Sequence, residues 1–156
     1  MATLDNAGII REMYVAWNDR DFDRYASFAT ADARMTNVPF GAKLGFREYG
    51  EVWAKAFPDG KIELMNLVAQ GDMAVGEFTG RGTHTGVLKG PSGEIAPTGQ
   101  RVEMPFVEVY RLRNGKISEG RIYFDTGTML AQLGISPGAT ATQQQQFTAP
   151  APQPRH

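Results

Sequence analysis

One stretch constrains this chain more than any other: Arg101–Gly134, RVEMPFVEVYRLRNGKISEGRIYFDTGTMLAQLG. Val102–Arg113 and Lys116–Phe124 are rich in β-branched and aromatic residues, and Asn114-Gly115 lies between them. That pattern predicts two long strands joined by a tight turn. Beyond Asp125 the apolar period changes from two to about 3.6, with Met129, Leu130 and Leu133 on one helical stripe. Asp125 or Thr126 can cap the new helix, because a side-chain oxygen there accepts an otherwise orphaned amide. Gly134 stands where such a helix ends.

The turn decides which side chains share a face, and two registers are open. A two-residue turn pairs Arg113 with Lys116 and sets Glu108 opposite Arg121, with Tyr123 and Asp125 on the same face. A glycine bulge shifts the pairing by one. Met104, Phe106, Glu108, Gly120, Ile122 and Phe124 then share one face, and Glu119, Arg121, Tyr123 and Asp125 take the other. A slip of one residue exchanges pocket for surface at every position.

The rest of the chain fits around this hairpin. Asp5 or Asn6 can cap a first helix with a stripe of Ile9, Ile10, Met13, Tyr14 and Trp17. A short second helix carries Phe22, Tyr25 and Phe28. Ala33–Val38 is a strand ended by Pro39. Gly41 and Gly45 bracket a loop, and Phe46–Phe57 is a helix with Phe46, Tyr49, Val52, Trp53 and Ala56 on its apolar side. Lys61–Ala69 and Met73–Thr85 are strands joined at Gln70-Gly71-Asp72. On the second, Phe78, Gly80, Gly82 and His84 share one face. Gly86–Gly99, with four glycines and two prolines, is a loop over a pocket mouth. The order α-α-β-α-β-β-β-β predicts an α+β fold, a curved antiparallel sheet wrapped around the N-terminal helices. The domain spans 1–136. Residues 137–156, PGATATQQQQFTAPAPQPRH, form a Pro/Gln-rich tail whose low-complexity composition cannot fold alone.

Composition narrows the function. Sixteen basic and 17 acidic residues leave a formal charge of -1 without a long run of either sign. That lacks the electrostatic footprint of a nucleic-acid binder. With no cysteine, disulfides, thiolate ligands and cysteine nucleophiles are excluded. No apolar run reaches the roughly 20 residues of a membrane span, and no signal peptide is visible at the start. A cytoplasmic protein with no membrane or nucleic-acid partner is expected. One usable histidine and scattered carboxylates lack metal-ligand spacing, so neither a metal nor a cofactor is expected.

FVEVYRLRNGKISEGRIYFDTGTMLAQLG resembles the end of SnoaL-like polyketide cyclases. GRGTHTGVL at 80–88 and AWNDRDFDRYASFATADARMTNVP at 16–39 resemble two further blocks of that family. The resemblance covers residues 6–135. It implies the nuclear-transport-factor-2-like fold, a cone-shaped α+β barrel with an apolar interior. It also implies an acid/base aspartate on the last strand. Here Ile122 stands at that position, Gly120 where a histidine is usual, and Asp125 aligns with a different aspartate at the strand–helix junction. In the sister limonene-epoxide hydrolases an Asp–Arg–Asp set acts, and Phe78, Gly80 and Ile122 occupy those positions. Asn37 alone matches their water-holding asparagine. Ketosteroid isomerases place a base aspartate where Val38 stands.

The family's scaffold is therefore present without its usual catalysts. His84, the one histidine outside the tail, is a candidate general acid or base. Glu108 is a second candidate if the bulged register turns it inward, because apolar surroundings raise a carboxyl pKa toward neutrality. Asp125 is a third, with a helix cap as its alternative role. Tyr14, Trp17, Asn37, Trp53, Phe78, Phe106, Ile122 and Phe124 are the expected substrate-binding residues. Two functions follow: a cofactor-independent acid/base enzyme of cyclase, isomerase or hydrolase type acting on an apolar carbonyl-bearing molecule, or a binding module that keeps the pocket and has lost the chemistry. Polar groups converging in the pocket, His84 close to an inward Glu108, would favour the enzyme. The outer sheet face, with Val107, Val109, Arg121 and Tyr123 under the bulged register, predicts a two-fold homodimer with the tail on or near the partner.

Overall fold

The first helix, α1 (Asn6–Asn18), begins where Asp5 accepts the Gly8 amide at 2.7 Å. Its buried side, Ile9, Ile10, Met13, Tyr14, Ala16 and Trp17, follows the helical period and lies against the sheet. Asp21 caps α2 (Phe22–Ser27) in the same way, accepting the Arg24 amide at 3.0 Å. Then follow β1 (Ala29–Asn37), β2 (Ala42–Gly45), α3 (Phe46–Ala56), β3 (Lys61–Gln70) and β4 (Met73–Thr83). A small hairpin of β5 (Leu88–Gly90) and β6 (Gly93–Ile95) precedes β7 (Arg101–Arg113), β8 (Lys116–Tyr123) and α4 (Thr126–Leu133). The computed structural model describes residues 4–90 and 93–135. The tail and its expected docking on a partner lie outside the described residues.

Six strands form one curved sheet in the order β2-β1-β8-β7-β4-β3, and the helices pack on one face of it. The α+β architecture is as expected, with two differences in detail. First, β1 runs parallel to β8, while the remaining neighbours are antiparallel. Second, two expected loops contain strands. Residues 42–45 pair with β1 because Gly41, at φ 72°, reverses the chain immediately after it. The Gly86–Gly99 segment pairs with itself as β5–β6 and buries Leu88 and Ile95 in a second core with Phe57, Val102, Met104 and Leu130. Gly86 docks this segment on the end of α3. Its amide donates to the Ala56 carbonyl at 3.1 Å, and a Cβ there would lie 1.8 Å from the Lys55 carbonyl oxygen.

The hairpin combines both of its candidate geometries. Its turn is the two-residue kind: Arg113 pairs with Lys116, and Asn114 and Gly115 take φ 52° and 77°. Between Leu112–Ile117 and Arg111–Glu119 the register shifts, leaving Ser118 as an extra residue on β8. Beyond that bulge Glu108 pairs with Ile122 and Tyr110 with Gly120. Met104, Glu108, Gly120 and Ile122 are buried, Phe106 and Phe124 are half-buried, and Glu119, Tyr123 and Asp125 are exposed. The bulge thus sets which face of the hairpin meets the helices. Among the described residues no helix is long and apolar enough to cross a membrane.

Candidate active site

Between the helices and the inner sheet face lies a cavity of about 690 Å³, its mouth included. Trp17, Trp53, Phe57 and Phe106 supply much of its wall, with Ile62, Val102, Met104, Ile122, Phe124 and Met129 completing the apolar part, and Lys61 and Arg81 also line it. Trp53 meets Phe124 edge-on at 6.0 Å and stacks on Phe57 at 6.4 Å. The Trp17 indole is held by the Gly50 carbonyl at 3.0 Å. Such a surface favours flat, apolar molecules, because ring faces bury area without asking for hydrogen bonds.

One acidic group faces this wall. Glu108 is 1% exposed and lines the cavity with Tyr14, Tyr25 and Tyr49. Three hydroxyls donate to its carboxylate: Tyr14 and Tyr110 to Oε1, and Tyr49 to Oε2. The Tyr110 hydroxyl also lies 3.3 Å from that of Tyr14. Burial pushes the Glu108 carboxyl up to about 7, and the bonds from Tyr14 and Tyr49 oppose that rise without cancelling it. Tyr14, Tyr49 and Tyr25 are pushed up in turn, by burial first and by the Glu108 charge second. Glu108 therefore exchanges its proton near neutral pH while the tyrosines stay protonated. That is the property required of a general acid or base.

Tyr14 comes from α1, Tyr49 from α3, and Tyr110 from β7, two residues along the same face as Glu108. The sequence reading placed Tyr14 at the site and missed Tyr49 and Tyr110. The signal for Tyr110 was available, since residues i and i+2 of a strand share a face. Tyr49 stood on the apolar stripe of its helix, where a tyrosine reads as core.

Four expected site residues are elsewhere. His84 is fully buried but does not line the cavity. It sits beyond the last β4–β7 pair, Thr83–Arg101, with its ring 5.4 Å from that of Phe57. The Thr98 amide donates to His84 Nδ1 at 3.2 Å, so Nδ1 is unprotonated and the neutral ring carries its proton on Nε2. Burial lowers its pKa further. His84 thus ties down the 84–100 segment and does not join Glu108. Asp125 is exposed and caps α4, accepting from the Gly127 amide at 3.2 Å and the Thr128 hydroxyl at 2.6 Å. Asn37 turns its Oδ1 to the Phe40 amide at 3.0 Å and shapes the β1–β2 turn outside the cavity. Phe78 is a fourth displaced residue. It lies behind the wall, against Tyr14 at 4.5 Å and Phe106 at 5.1 Å. Tyr14, Trp17, Trp53, Phe106, Ile122 and Phe124 all line the cavity.

A curved sheet closing an aromatic cavity over one buried carboxyl defines the class: a small α+β pocket protein of the nuclear-transport-factor-2-like, ketosteroid isomerase-like fold. The sequence profile of the SnoaL-like polyketide cyclases matches residues 8–133, and the chain belongs to that family. Among solved structures it is 27% identical to the candidate hydroxylase AclR from Streptomyces galilaeus, with a TM-score of 0.69 over 83% of this chain and 95% of that one. It is also 27% identical to the candidate polyketide cyclase IdmH from Streptomyces antibioticus, with a TM-score of 0.68 over 85% of this chain and 100% of that one. A protein of ketosteroid isomerase-like fold from Catenulispora acidiphila shares the fold at 17% identity, with a TM-score of 0.69 over 89% and 99% of the two chains. A comparison with curated proteins found no match.

Two departures from the family's pattern have a structural basis. Ile122 puts a hydrocarbon in the wall where the aspartate is usual. At Gly120 a Cβ would come within 2.5 Å of Met35 Sδ and 3.0 Å of the Tyr110 ring, so a side chain there requires Met35 to shift.

Proposed function

We propose that this chain is a cofactor-independent acid/base enzyme acting on an apolar, carbonyl-bearing small molecule, with Glu108 as its proton-transfer group. One observation carries the reading: a fully buried carboxyl, titrating near 7, lines an aromatic cavity and is held by three phenols. Its position opposite Ile122 on the paired strand sets it beside the family's usual acid/base position. Proton transfer at a carbon next to a carbonyl needs only such a group, a dry site and an oriented ligand.

The test is hydrogen–deuterium exchange at the α-carbon of 2-tetralone in deuterated water, followed by NMR. Wild type is expected to accelerate the exchange, with a pH midpoint near 7, and Glu108→Gln to abolish the acceleration. Saturable 2-tetralone binding without exchange would favour the second reading, a binding module, for which the hydrocarbon at Ile122 speaks.

The assembly proposal is a two-fold homodimer through the outer sheet face. Val107 and Val109 are half-buried there and Tyr123 is 41% exposed. Light scattering at micromolar concentration is expected to give twice the chain mass, and a monomer would refute it.

A further inference from the structure

The three phenols around Glu108 are not equivalent, and the difference bears on the proposed chemistry. Oε1 takes two donors, Tyr14 and Tyr110, whose hydroxyls also meet each other at 3.3 Å. Oε2 takes one, Tyr49. Tyr49 lines the cavity, whereas Tyr110 does not. An ionised carboxylate only accepts, so all three hydroxyls point at it. A protonated carboxyl must donate, and it needs an acceptor. Oε2 is the less occupied oxygen, and the acceptor beside it is the Tyr49 oxygen.

We propose that Tyr49 is a second catalytic residue, whose hydroxyl swings from Glu108 to the ligand oxygen when Glu108 takes up a proton. The α-carbon C–H bond of the ligand breaks, and its proton passes to Oε2. The bonding pair becomes the C=C bond of an enolate, and the negative charge goes to the former carbonyl oxygen. Oε2–H now donates to the Tyr49 oxygen. The Tyr49 O–H, released from the carboxylate, donates to the enolate oxygen. One proton transfer therefore creates the donor that its own product requires, and no further charge enters the cavity. Reprotonation at the same carbon gives exchange, and at another carbon isomerisation. Attack of the enolate carbon on a second carbonyl closes a ring: the new C–C bond forms as the C=O π pair moves to its oxygen, and that alkoxide takes the proton from Oε2.

The titratable groups facing Glu108 are Tyr14 on α1, Tyr25 on α2, Tyr49 on α3 and Tyr110 on β7. Burial holds Tyr14, Tyr25 and Tyr49 above their ordinary pKa, so none of these three competes for the proton near neutrality.

This proposal rests on the acid/base reading of Glu108, and 2-tetralone exchange separates the two. Tyr49→Phe is expected to slow exchange about 10²–10³-fold, the effect of losing one donor to a developing oxyanion. Tyr110→Phe removes a donor to the same carboxylate outside the cavity. It is expected to raise the pH midpoint and to slow the plateau rate clearly less than Tyr49→Phe does, because it donates only to the carboxylate and does not line the cavity. A Glu108-dependent exchange that survives Tyr49→Phe, or that falls equally in both variants, overturns the role of Tyr49 and leaves the acid/base reading standing. No Glu108-dependent exchange in wild type overturns both. A second measurement does not depend on whether the variants fold. Wild type is expected to bind 2-naphthol, a fixed enol of the same skeleton, about tenfold or more tightly than 2-tetralone, because a site built for an enolate favours it. Equal affinities would count against the donor at Tyr49.

Discussion

At pH 8 the Glu108→Gln variant is expected to be more stable than wild type, by up to roughly 3–4 kcal/mol, and the two should converge below pH 4.5. The folded protein holds the Glu108 proton up to about pH 7, whereas an ordinary glutamate releases it near 4.5. Between those values unfolding releases a proton, so stability falls as pH rises. The contribution is complete below 4.5 and lost above 7. At about 1.4 kcal/mol per pH unit the interval amounts to the figure given. Glutamine has the shape of the neutral acid. Its oxygen can accept from Tyr14 and Tyr110, and its amide can donate to the Tyr49 oxygen, so the variant should lack the dependence. Urea denaturation of both proteins from pH 4 to 9 is the measurement. Parallel profiles would mean that Glu108 is not held neutral by burial. The variant predicted to gain stability is also the one predicted to lose exchange activity, an expected trade at a site that buries a titratable group.

Ile122→Asp is expected to destabilise the protein at every pH, and by clearly more at pH 9 than at pH 5. Ile122 is 4% exposed in the cavity wall and pairs with Glu108 across the hairpin. The change removes buried hydrocarbon at every pH, a loss of about 2–5 kcal/mol when a large aliphatic side chain is truncated. The new carboxyl adds a pH-dependent part. Burial and the neighbouring Glu108 both disfavour its charge, so it stays protonated until the pH forces it to ionise. The pair should then titrate in two steps that belong to both groups. Melting temperature against pH, compared with wild type, should show a gap that widens as pH rises. A constant gap would place position 122 in contact with solvent and the hairpin in its other register.

The difference between the two registers shows where local patterning stops. Asp5 and Asp125 cap helices as their positions suggested, and Asp21 caps α2 in the same way, because a cap depends on an oxygen and an amide two or three residues apart. The Asn114-Gly115 turn is likewise local, since it needs positive φ at two adjacent residues. The inward face of β4, with Phe78 and Gly82 buried and His84 buried just past its end, follows from the two-residue period of a strand. These are properties of short segments, and the amino-acid order carries them alone.

The bulge at Ser118 is of another kind. The turn by itself would pair Glu108 with Arg121, and the extra residue shifts Glu108 to Ile122. Burial of Met104, Glu108 and Ile122 against the helices decides that shift, and no residue next to the turn announces it. The site itself depends on packing still more. Tyr14 and Tyr49 reach Glu108 across 94 and 59 residues of chain, from two different helices. His84, one residue past the end of the β4 strand that pairs with β7, is carried beyond the cavity wall. A spacing rule reports which side chains leave one element on one side. Which of them meet is set by how far apart the elements pack and at what angle. A neutral-range carboxyl exists here only because that packing removes water from Glu108 while leaving it three phenols.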